Sequence, residues 1–175
     1  ATKAKLSGDE MKSYARRMTE FGEWCAGQGM PLTYHHHMAA VVETEQELDS
    51  FMHHSGAGIP LLFDAGHMAF AGGDVLRVID NYHSRITHVH TKDVRMDVIK
   101  GLDRSKESFL DAVYKGAFTV PGDGSLDFEA IVKKLAAYGY QGWFVVEAEQ
   151  DPKKAPPLKM AQIGARELHR VLGAA

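Results

Sequence analysis

The sequence predicts an α/β fold in which a parallel sheet is covered by helices. Three observations carry that reading. Short strand-like runs at residues 59–63, 86–89 and 143–146, the first and last apolar, each stop at polar groups: Asp64 and His67, then His90 with Lys92 and Asp93, then Glu147 with Glu149. Stretches with apolar residues at helical spacing lie between those runs. Gly and Pro clusters mark the transitions. Strands alternating with helices argue for a parallel sheet, and such folds place their chemistry at the C-terminal ends of strands.

The elements follow in order. Ser7, with Glu10 three residues on, is a capping box for a helix over 8–26, and Gly27 and Gly29 stop it. Residues 32–38 read as a strand, with Thr33, His35 and His37 on one face and Tyr34 and His36 on the other. His35 or His37 is then expected in a site, with His36 packing outward. Thr44 and Glu47 cap a second helix to about His54. Gly56, Gly58 and Pro60 turn the chain into the strand that ends at Asp64, read as buried on both faces. Asp74 caps a helix carrying Val75, Leu76, Val78 and Ile79, and the His88/His90 strand follows. Residues 94–120 form a long connection with a helix near 106–114 and a short strand near 117–120, a candidate lid. Asp127 caps a helix to Ala137, Glu147 closes the most apolar strand, and a last helix covers 158–172.

A length of 175 residues suits a single domain over 1–175. Net charge is −3, which argues against a nucleic-acid surface or an anionic membrane partner. The apolar runs are too short to span a bilayer, and no secretory leader opens the chain. The single Cys25 reads as a small buried apolar residue, consistent with a reducing, cytoplasmic setting.

Several groups have two readings. Asp64 and His67 are either a helix cap and a surface histidine, or members of a site. His88 reads as a core residue, and His90, nearer the strand end, as a ligand. Glu147 at the end of an apolar strand needs a counter-charge or a metal, whereas Glu149 reads as solvated. Lys92 and Asp93 are either a salt-bridged rim or a place where Lys92 neutralises a substrate oxyanion.

With those residues in place, the chain resembles the xylose-isomerase-like TIM-barrel superfamily of sugar isomerases and epimerases, and within it the branch of keto-inositol dehydratases. The resemblance lies in Tyr34-His35-His36-His37-Met38, Leu62-Phe63-Asp64-Ala65-Gly66-His67, His88-Val89-His90-Thr91-Lys92-Asp93-Val94-Arg95, Phe118-Thr119-Val120-Pro121-Gly122-Asp123-Gly124 and Val145-Val146-Glu147-Ala148-Glu149-Gln150-Asp151-Pro152. It implies a TIM-barrel-type fold of which only the C-terminal part, strands four to eight, is present, since a full barrel needs about 250 residues. The chain is accordingly expected to self-associate or to belong to a longer polypeptide.

By the resemblance Asp64, His90 and Glu147 match metal ligands and His67 matches a substrate contact. Many members carry a further metal-binding Glu where this chain has Thr33, and His35 is the candidate replacement. The implied activity is metal-dependent dehydration of 2-keto-myo-inositol to a cyclic diketone. Glu147 or a histidine of the 35–37 strand is the base, and His67 or Lys92 the acid. His37, His67, Lys92 and Arg95 are the expected substrate contacts. The implied metal is Mn²⁺ or Co²⁺, with Zn²⁺ also compatible with mixed oxygen and nitrogen donors. The branch is also associated with glutathione, for which the sequence carries no motif. The alternatives are a keto-sugar isomerase or epimerase, and an inactive self-assembling half-barrel.

Overall fold

The computed structural model describes residues 3–173. Helix α1 (Gly8–Gly27) starts at the expected capping box and packs on α2 (Glu45–His54), which starts at the Thr44–Glu47 box. Between them the extended segment keeps only β1 (Tyr34–His35) in register. Strand β2 (Leu61–Asp64) leads directly into α3 (Ala65–Phe70), and α4 (Val75–Tyr82) starts at the Asp74 cap. A 3-10 turn precedes β3 (Ile86–His90). After β4 (Asp93–Val94) come α5 (Met96–Lys100), α6 (Phe109–Lys115) and β5 (Phe118–Thr119). The chain ends with α7 (Phe128–Ala137), β6 (Phe144–Val145) and α8 (Pro157–Leu172).

The main sheet is parallel, in the order β1-β2-β3-β6. Its register sets Asp64 beside His90 and His90 beside Val145. One face is closed: Tyr34, Leu61, Phe63 and Val89 are buried with Leu48, Phe51, Ile79 and Leu135 from the covering helices. Each such large side chain contributes roughly 1.5–3 kcal/mol by leaving water. The other face is not closed, because Leu62, His88 and His90 are only half-buried. Burial of the Asp64 strand on both faces, and of His88 in the core, therefore does not hold. The half-open face carries the polar residues.

The segment from 94 to 120 is also not a simple connection. β4 and β5 pair antiparallel as a separate two-stranded sheet, and β6 pairs with β3 directly. Val94, Ile99, Ala112, Val113 and Phe118 form a second core with Phe70. Asp93 fixes this unit. Its Oδ1 accepts hydrogen bonds from the N–H groups of Val94 (2.7 Å), Ser125 (3.0 Å) and Leu126 (2.9 Å). That is its role in place of a salt-bridged rim with Lys92. Cys25 is buried in α1.

Candidate metal centre

The strand ends converge. β1 supplies His35, β2 Asp64 and β3 His90, and the segment after β6 supplies Glu147 and Glu149. The two oxygens of Asp64 face different partners. One oxygen, Oδ1, caps α3 by accepting from the His67 N–H at 2.8 Å. The other, Oδ2, lies 3.5 Å from His35 Nε2 and 3.5 Å from His90 Nδ1. His90 Nδ1 is also 3.5 Å from Glu147 Oε2.

These four donor atoms, His35 Nε2, Asp64 Oδ2, His90 Nδ1 and Glu147 Oε2, are buried and have no hydrogen-bond partner. The first three lie within 4.8 Å of one another. Buried lone pairs are normally satisfied, and Asp64 Oδ2 lies between two imidazole nitrogens with the Lys92 ammonium 3.7 Å away, which leaves the nitrogen lone pairs beside it open to a metal ion. The donor set therefore fits a divalent ion such as Mn²⁺, Co²⁺ or Zn²⁺. The four sequence-assigned ligands are brought together.

Lys92 is the second organiser. It is fully buried. Its Nζ lies 2.7 Å from His67 Nε2, 2.7 Å from Glu149 Oε2 and 2.8 Å from Glu147 Oε2. The Glu147 oxygen counts no hydrogen bond but is ion-paired with this ammonium. Burial opposes charge on Lys92, but Asp64 and Glu147 outweigh it and raise its pKa. Burial likewise opposes ionisation of Asp64, yet contacts from His35 and His90 and the Lys92 charge hold it well below the carboxylate range. For His90, burial favours the neutral ring, but Asp64 and Glu147 prevail and raise its pKa to about 9. His67 is held neutral, its pKa pushed to about 2 mainly by burial.

Three expectations change. His67 is buried and accepts from Lys92, so a neutral, enclosed ring replaces the acid and direct substrate contact read from sequence. Arg95 donates to the Gly116 carbonyl (2.8 Å) and Thr119 Oγ1 (3.1 Å) and ion-pairs with Asp123 at 2.5 Å, tying β5 to the following turn. Glu149 is no solvated carboxylate: besides Lys92 it faces His37 Nε2 at 3.6 Å and His67 Nε2 at 3.4 Å. The His37 ring also contacts the Met38 carbonyl through Nδ1 at 2.7 Å, and Phe109 of α6 sits 5.4 Å from it, edge-on.

His36 does not pack outward. It is fully buried behind the site, with Nε2 accepting the Asp64 N–H at 3.2 Å. Burial pushes its pKa down from 6.5 to about 4. The folded chain thus binds fewer protons here than the unfolded one. The resulting stability is present above about pH 6.5 and is lost as pH falls toward 4, a difference of order 3 kcal/mol at ~1.4 kcal/mol per unit. Urea midpoints measured from pH 7 to 4.5 should fall more steeply for the parent than for His36→Gln, whose amide keeps the acceptor without the titration. Parallel curves would remove His36 from this role.

Fold and site together define an α/β barrel-type protein with oxygen and nitrogen donors grouped at the C-terminal ends of parallel strands. The chain belongs to the xylose isomerase-like TIM barrel family, whose model matches residues 2–170. Rhizopine catabolism protein MocC of Rhizobium meliloti is 48% identical over 171 residues, covering 98% of this chain and 53% of that protein. Inosose dehydratase of Clostridium perfringens is 46% identical over 157 residues, with 89% and 53% covered. The chain spans about half the length of these curated relatives. Among solved structures, the IOLI protein with a binding zinc atom aligns at TM-score 0.69 and 18% identity, over 99% of this chain and 60% of that one. The probable 3-DHS dehydratase AsbF of Bacillus anthracis aligns at TM-score 0.69 and 14% identity, over 97% and 61%. At these identities the two structures speak for the fold. No helix among the described residues is long and apolar enough to cross a membrane.

Proposed function

We propose that this chain carries the metal centre of a hydro-lyase that removes water from 2-keto-myo-inositol. The observation that carries the reading is the convergence of four buried, unpartnered donor atoms from His35, Asp64, His90 and Glu147. Relatives named inosose dehydratase, alike over most of this chain, give the substrate class.

His35, Asp64, His90 and Glu147 would hold the ion. A divalent ion held there would supply Lewis acidity to the substrate ketone and so make the adjacent C–H easier to deprotonate. The protein supplies the proton carriers. Glu147 and Glu149 are both held ionised: burial opposes this, but His90 and Lys92 act on the first, and His37 and Lys92 on the second. Glu147, whose side chain is one-third exposed, is the base that takes the α-proton. His37 is the acid for the departing hydroxyl. It is half-buried beside Glu149, which raises its pKa and keeps a protonated fraction at neutral pH. Lys92 does not reach solvent, and it fixes the two carboxylates. Phe109 stands beside the His37 ring and limits water there.

The test is to incubate the full chain with Mn²⁺ and 2-keto-myo-inositol and follow the ultraviolet absorbance of the diketone. Absorbance should appear, vanish with a chelator, and fall ~10²–10⁴-fold in His37→Asn. Recovery of an epimerised inosose by NMR without loss of water would replace the dehydratase reading with that of an epimerase.

A further inference from the structure

A second group of donors lies beside the first. His37, His67 and Glu149 each offer one donor atom, and these atoms are mutually within 4.8 Å, a spacing open to a metal ion. His67 and Glu149 in this group point at one atom, the Lys92 ammonium, 2.7 Å from each. The same ammonium touches Glu147, a member of the first group, at 2.8 Å, and lies 3.7 Å from Asp64 Oδ2. Lys92 thus places a fixed cation against this second donor group and beside the first, in contact with His67, Glu149 and Glu147.

The geometry points to a latent second metal site, formed by His37, His67 and Glu149 and occupied in the native protein by the Lys92 ammonium. The inference rests on the first centre being a metal site, and it adds that Lys92 keeps that centre mononuclear. An ammonium is compact, carries three N–H donors and can stand in for a cation among acceptors. It differs from a metal ion in not being exchangeable. A built-in charge would neutralise Glu147 and Glu149 whatever the metal supply, and would leave the exchangeable position to the His35–Asp64–His90 group. An oxygen and nitrogen donor set of two imidazoles and carboxylate would suit Zn²⁺ or Mn²⁺ once the ammonium is gone.

Lys92→Met keeps the length of the stem and removes the charge. Equilibrium dialysis against Zn²⁺ or Mn²⁺, followed by elemental analysis, should give one ion per parent chain and two per Lys92→Met chain. The double variant Lys92→Met with Glu149→Gln should return to one. With Mn²⁺, the single variant should also show the exchange-coupled electron paramagnetic resonance signal of an ion pair, absent from the parent. One ion in Lys92→Met, or two in the parent, overturns the proposal. No ion in the parent overturns the first centre instead, which keeps the two failures apart. Should Lys92→Met unfold without metal, circular dichroism during the titration decides. Folding should then recover only at two equivalents, and a chain still unfolded at saturating metal counts against the latent site.

Discussion

Asp64→Asn should leave the fold standing while metal affinity drops by well over ~100-fold, the upper end of what losing an outer-shell partner costs a metal site. The two oxygens of Asp64 do different work. Oδ1 caps α3 through the His67 N–H, and Asn caps a helix about as well as Asp. Oδ2 is the buried, unpartnered oxygen between His35 and His90. The substitution keeps the first contact and removes the charge at the second. Lys92 and His90 would also lose a shared counter-charge, so the raised pKa of His90 should fall. Isothermal titration with Mn²⁺ or Zn²⁺ measures the affinity, and thermal unfolding the fold. An affinity within tenfold of the parent would place the ion elsewhere. Asp64→Ala is the poorer variant, because it adds the loss of a cap worth ~1 kcal/mol to the loss of the ligand.

What sequence could reveal here depended on how far apart the partners lie. Asp64, His90 and Glu147 were legible because each ends a strand-like run, and parallel strands bring such ends to one rim. The capping boxes of α1 and α2 were legible because their signals lie within three residues. Glu149 was not. It follows a strand that ends at Val145, beyond which strand alternation no longer says where a side chain points. Its link to Lys92 spans 57 residues, which no local pattern reports. His36 was misplaced because alternation gives the face of a strand and not what covers it. Here the opposite face is the buried one, and its ring holds the Asp64 backbone. The pairing of β4 with β5 was invisible for another reason: two-residue strands carry no periodicity.

Gly66→Ala tests how tightly the centre is built, and two effects of opposite sign compete there. Gly66 lies in the first turn of α3, where Ala normally gains up to ~1 kcal/mol over Gly in helix propensity. A Cβ at this position, however, would stand 2.6 Å from Lys92 Cγ, 2.8 Å from its Cβ and 2.9 Å from its carbonyl oxygen. The far end of a long side chain could swing away, but a carbonyl and the root of the stem cannot. Lys92 is fully buried, with its ammonium held by Glu147, Glu149 and His67, so it has nowhere to retreat without breaking those contacts. Overpacking of this kind costs roughly 1–3 kcal/mol. It should outweigh propensity, giving a net loss of up to about 2 kcal/mol in urea unfolding. The displaced ammonium would also leave Glu147 and Glu149 less well neutralised, so metal affinity should change along with stability. Gly8→Ala, where an added Cβ meets nothing within 4 Å, is the matched control and should be neutral or slightly stabilising. If Gly66→Ala proves as stable as that control, Lys92 has freedom that the packing here denies it, and its role as a fixed charge between the carboxylates falls.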